Sequence, residues 1–86
     1  MGTLEIHEME LMERNAAIRL IRALVARGLG QSDSMANVAI RSIAVQAGLD
    51  DQFDPALEYA IQHRWFATPT RGWSTLTASG YAAATV

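Results

Sequence analysis

The sequence contains no cysteine, which excludes a disulfide framework and any thiolate metal site. It contains no lysine either: all seven cations are arginines, at positions 14, 19, 22, 27, 41, 64 and 71. Histidine occurs only at positions 7 and 63, so no zinc site is expected. No apolar run approaches the roughly 20 residues of a membrane span. The first residues, Met1-Gly2-Thr3-Leu4-Glu5, lack the basic and apolar segments of a secretory signal, so cytoplasm is the expected compartment. There is no glycine-rich phosphate loop and no metal-ligand spacing. His63 has no carboxylate to orient it beyond its own helix, and Ser32-Asp33-Ser34 has no base nearby in sequence. No cofactor, no metal and no enzymatic activity are therefore expected.

What is present is enough for one small packed domain. The chain has 86 residues, half of them apolar, and a net charge of −2. The negative balance matters, because attraction to phosphate supplies most non-specific DNA affinity.

Residues 4–27 are read as one helix. Ile18, Ile21, Leu24 and Val25 make an apolar stripe, with Leu20 beside it. Glutamates gather in its first half and arginines in its second, as the helix dipole prefers. Gly28 closes it. Leu4, Leu11, Ile18 and Val25 also recur every seven residues, a spacing that can mark a helix seam. Residues 1–13 are thus read as an extension of this helix and residues 14–86 as the domain proper. Leu4, Met9, Leu11 and Met12 are the candidate contacts of a homodimer.

Gln31-Ser32-Asp33-Ser34 is a polar loop, and Met35-Ala36 is a candidate for a very short strand. Asn37 is the expected N-cap of a helix over 38–47, with Val38, Ile40, Ile43, Ala44 and Ala47 as its apolar face. Gly48-Leu49-Asp50 reads as a tight elbow, in which the glycine ends one helix and the leucine plugs the core. A second helix is expected over 52–63, with Phe53, Leu57, Ala60 and Ile61 inward. Pro55 is tolerated only in a first turn, which suggests Asp54 as the cap and Asp50–Phe53 as a preceding turn. Trp65-Phe66 leads into a strand, Thr68-Pro69-Thr70-Arg71-Gly72 is turn chemistry, and Trp73–Thr77 is a return strand. In that strand Ser74 and Leu76 share one face, and Trp73 and Thr75 the other. Thr77 is the expected N-cap of a last short helix.

Three landmarks now stand in order: Ile43-Ala44 to Ala47-Gly48-Leu49, Ala56-Leu57-Glu58-Tyr59-Ala60-Ile61-Gln62-His63-Arg64-Trp65-Phe66, and Leu76-Thr77-Ala78-Ser79-Gly80-Tyr81. Together they resemble winged helix-turn-helix transcriptional regulators, over about residues 14–84. The resemblance implies an α+β, mainly helical fold: a three-helix core, a C-terminal hairpin wing and a short terminal helix. It implies a small dimeric regulator that binds double-stranded DNA. The residues it points to are Arg41 on the second helix, Gln52, Tyr59, Gln62 and His63 on the recognition helix, and Arg64 and Arg71 at the wing. Two features depart from the pattern. Arg64 stands where many members have glycine, so it must enter the left-handed region or the helix must end differently. Asp50, Asp51 and Asp54 occupy the start of the recognition helix, where phosphates would repel them. The second reading is therefore a winged-helix adaptor that binds protein rather than DNA, with Tyr59, Trp65 and Trp73 as aromatic anchors.

Overall fold

A computed structural model describes residues 2–85 of the chain, and side chains from Glu10 to Thr85. The elements are α1 (Gly2–Ala26), β1 (Ser34–Ala36), α2 (Asn37–Gln46), a 3-10 turn (Asp50–Gln52), α3 (Phe53–Gln62), β2 (Phe66–Ala67), β3 (Trp73–Leu76) and α4 (Ala78–Thr85). The fold is α+β and mainly helical. Its small antiparallel sheet has the order β1-β3-β2.

The core forms where four helices converge on the inner face of the sheet. From α1 come Ala16, Ala17, Leu20, Ile21 and Leu24; from α2, Ile40, Ile43 and Ala44; from α3, Phe53, Ala56, Tyr59 and Ala60. Phe66 and Leu76 arrive from the sheet and Ala84 from α4. The buried stripe of α1 is rotated from the expected one. Ile18 and Val25 are only half-buried, whereas Ala16 and Ala17 are inside, because small residues let α3 and α4 approach closely. Burial on α1 begins at Ala16; of the six residues before it whose side chains are described, five are exposed and Glu13 is half-buried. Of the candidate dimer contacts, Leu4 and Met9 lie outside the described side chains.

The Gly48-Leu49 elbow is built as its sequence suggests. Gly48 takes φ 77°, a conformation glycine enters without a Cβ clash. The Leu49 N–H then donates to Ala44 O at 2.8 Å, and the leucine side chain is buried between the helices. The capping expectations around it fail. Ala36, not Asn37, is the N-cap of α2, and no side chain caps that end. The Asn37 amide is engaged elsewhere: its Oδ1 accepts the Ser74 hydroxyl at 2.6 Å. Likewise α3 begins at Phe53 with Gln52 as cap, so Asp54 lies within the first turn and caps nothing. Val38, expected inward, is 80% exposed. At 100° per residue Val38 points about 200° away from Ile40 and about 240° from Ala44, the buried side of α2, so it faces outward.

The hairpin alternates as its residues require. Ser74 and Leu76 are buried, Trp73 is exposed and Thr75 half-buried. Met35 pairs with Ser74 and Ala36 with Trp73, so β1 runs directly from the sheet into α2. The Asn37 N–H continues the ladder to Gly72 O at 2.8 Å. Thr77 is the pivot into α4. Its hydroxyl oxygen accepts the Gly80 N–H at 3.1 Å, which is the N-cap bond. The same hydroxyl faces the carbonyls of Arg64 and Trp65 at 2.6 and 3.0 Å. No helix among the described residues is long and apolar enough to cross a membrane.

Candidate nucleic-acid interface

The seven residues singled out for DNA contact fall in three places. Arg41 is exposed on the outer face of α2, and its guanidinium lies 5.9 Å from the centre of the Phe53 ring. Arg71 is exposed in the turn between β2 and β3. The turn is held by Trp73 N–H to Thr70 O at 3.0 Å, and the Gly72 carbonyl receives the first N–H of α2. The hairpin tip therefore sits at the start of the helix that carries Arg41.

The third place is the end of α3. Gln62, His63 and Arg64 are all exposed there. Gln62 Nε2 donates to Glu58 Oε1 at 3.4 Å, one helical turn back. His63 stacks on Tyr59, with ring centres 4.0 Å apart, and Trp65 meets Tyr59 edge-on at 5.5 Å. Arg64 does enter the left-handed region, with φ 60°. Because the chain turns there, the Trp65 N–H reaches back to Ala60 O at 2.8 Å.

Tyr59 itself is withdrawn from this surface. It is 7% exposed, because its ring forms the floor beneath His63 and Trp65 and completes the core. It cannot present a face to a groove. Gln52 is exposed but belongs to a different neighbourhood: it borders a small apolar cleft with Met12, Ala16 and Pro55, between α1 and α3.

Charge divides the molecule more sharply than any single contact. Every carboxylate lies in residues 5–13, at Asp33, or in residues 50–58. Residues 34–49 and 59–86, which include α2, the hairpin and α4, hold Arg41, Arg64, Arg71 and His63 and no carboxylate. On the acidic side, Glu13 of α1 shares a polar groove with Asp54, Glu58 and Gln62 of α3. The exposed flank of α3 is thus acidic, and the carboxylate-free side is α2 with the hairpin. No group of three or more His, Asp or Glu side chains among the described residues is placed to hold a metal ion.

Sequence reasoning found Trp73 but missed two apolar residues on this surface: Val38 and Val45 are 80% and 52% exposed, beside Trp73 at 46%. Val38 and Val45 are seven residues apart, two turns along the side of α2 that also carries Arg41. Trp73 stands on the outer face of β3, opposite Ala36. The seven-residue spacing was the available signal for the two valines. Compared with protein-family models, with curated proteins and with solved structures, the chain gives no match.

Proposed function

We propose that this chain is a winged-helix domain and that it binds duplex DNA wing-first, as a small transcriptional regulator. The order helix, strand, helix, helix, hairpin, with the first strand paired to the last, supports the winged-helix reading. The observation that carries the DNA reading is that α2 and the hairpin contain no carboxylate of their own and expose Arg41 and Arg71. An arginine at the tip of a hairpin suits insertion into a minor groove, and a second one on α2 suits a flanking phosphate.

The α3 flank enters this reading as a constraint. Asp51, Asp54 and Glu58 are exposed there, and phosphates would repel them, so α3 does not lead the approach. Arg64, His63 and Gln62 at its far end are the residues that reach the backbone. The test is an amide NMR titration of the whole chain with a mixed-sequence duplex at low salt. Shifts concentrated in residues 37–45 and 68–73 support the reading. No binding at low salt ends it.

The second reading, a protein-binding adaptor, is favoured by the exposure of Val38, Val45 and Trp73 on the same surface. An exposed tryptophan two residues from an exposed arginine, Arg71, has the composition of an interface hot spot. A partner retained from nuclease-treated lysate, and lost with Trp73→Ala, would select this reading over DNA.

A further inference from the structure

Two depressions between α1 and α3 share Glu13 and Pro55 and so form one cleft. One end is a hollow of about 150 Å³ bounded by Met12, Ala16, Gln52 and Pro55. Its surface is apolar although Glu13 and Gln52 border it, because both turn their methylenes inward. The other end is polar, where Glu13 meets Asp54, Glu58 and Gln62. Those three residues of α3 stand four apart and make one ridge along the cleft, as Met12 and Ala16 do on α1. We propose that this cleft docks a basic amphipathic segment of another protein, with one apolar side chain of the segment in the hollow and its arginines or lysines against Glu13, Asp54 and Glu58.

Size sets what the hollow takes. An apolar cavity of about this volume accepts benzene, so it suits a single leucine, methionine or phenylalanine side chain. Its wall includes Met12, which is 63% exposed and flexible enough to reshape around what it touches. From Gln52 to Gln62 the cleft follows α3 for about 15 Å at 1.5 Å per residue, nearly three turns of a docked helix.

Charge decides which segment fits. Three carboxylates line the cleft and none of the seven arginines does. Glu13 is half-buried there, while Met12 and Arg14 on either side of it are exposed. Like charges held together are costly, and a cationic partner turns that repulsion into attraction. The same carboxylates repel DNA and anionic lipid. They are not gathered to hold a metal ion, since no such group of three exists among the described residues. A row of spaced carboxylates matches cations spaced along a segment instead. A second copy of this chain offers Arg71 beside Trp73, one cation for three carboxylates, through a head-to-tail contact that leads to rings or filaments. The inference uses none of Arg41, Arg64, Arg71 or Trp73 of the docking chain, so it stands or falls separately from DNA binding.

A dye-labelled peptide of about twelve residues, long enough for three turns and carrying leucine and arginine on one helical face, tests it by fluorescence anisotropy with the intact chain. Saturable binding that weakens with salt is expected. Asp54→Asn with Glu58→Gln should weaken it about tenfold. Met12→Gln keeps the charges, removes the apolar wall and should weaken it about fourfold. Asp33→Asn removes a charge outside the cleft and should change it less than about twofold. All four side chains are exposed, and amide spectra confirm that each variant is folded. Peptide-induced shifts should fall in residues 12–16 and 52–62, apart from the 37–45 and 68–73 expected for duplex DNA. The proposal is overturned if the peptide does not bind, if the shifts lie outside the cleft, or if the cleft variants bind as the wild type does. Spermine, or the same peptide with serine for leucine, binding as tightly would show general attraction of polycations and overturn it too. So would self-association in sedimentation that Glu58→Arg abolishes, which would put a second copy in the cleft.

Discussion

The hydroxyl of Ser74 donates to the side-chain oxygen of Asn37 at 2.6 Å, tying the buried face of β3 to the first turn of α2. Ser74 is the buried polar residue of the described core, and this bond satisfies it. Removing the hydroxyl strands the Asn37 oxygen in a half-buried position. Ser74→Ala should cost about 1 kcal/mol, the usual net value of such a bond, read as a lower urea midpoint with unchanged slope. An unchanged midpoint would mean water replaces the hydroxyl at no cost.

Arg64 holds a left-handed conformation that costs a side-chain-bearing residue about 1–2 kcal/mol. Arg64→Gly removes that strain but adds freedom to the unfolded chain, which takes back about 0.4–1 kcal/mol. The net expectation is a gain of about 0.5 kcal/mol in thermal or urea unfolding. A loss would show that the arginine side chain makes a stabilising contact of its own.

Gly80 has the opposite character. It is buried in α4, and a Cβ there would run into the carbonyl of Trp65 and lie 2.9 Å from Leu76 Cδ1. Neither neighbour can yield easily, since one is backbone and the other is in the core. Gly80→Ala should destabilise by about 1–3 kcal/mol through overpacking, despite alanine's better helix propensity. Calorimetry would detect it as a fall in Tm, and a stabilised variant would place α4 further from the hairpin than described.

Leu20 and Val38 are both aliphatic residues on helices, yet they should behave very differently. Leu20 is fully buried and Val38 is 80% exposed. Leu20→Ala should cost about 2–5 kcal/mol by opening a cavity, whereas Val38→Ala should stay within about 0.5 kcal/mol. Denaturant titrations of the pair separate the two. A large loss at Val38 would mean that it is covered in solution, most simply by a partner.

For the proposed DNA contact, Arg71→Ala should weaken duplex binding and flatten its salt dependence, because an arginine entering the minor groove also displaces counterions from the flanking backbone. Fluorescence anisotropy at several salt concentrations measures both. A variant that loses affinity with an unchanged slope would place Arg71 away from the phosphates.

The readable parts of this fold were those decided locally. Gly48-Leu49 announces an elbow because few other pairs both reverse a backbone and fill a core. The alternation of Trp73, Ser74, Thr75 and Leu76 announces a strand with one buried face, and Thr77 caps α4 because its hydroxyl is already at hand. What escaped was decided by residues far away in sequence. Asn37 looks like a cap until Ser74, 37 residues on, takes its amide. Tyr59 looks like a reader of bases until His63 and Trp65 close over it. Of the candidate interface, the arginines were visible from the start. Trp73 was visible too, on the outer face of its strand, but the two valines were not, because Val38 was assigned to the core although it lies about 200° around the helix from Ile40.

The bond from Arg22 to Ala84 joins positions 62 residues apart, and Ala84 is itself buried in the shared core. The inward side of the first helix is completed only when the fourth arrives. During synthesis that oily side must wait, partly clothed, for almost the whole domain to emerge from the ribosome. Closing so long a loop is slow compared with winding any one helix. Holding factors that shelter nascent chains would therefore find their opening at the first helix, early and briefly, before the fourth seals it.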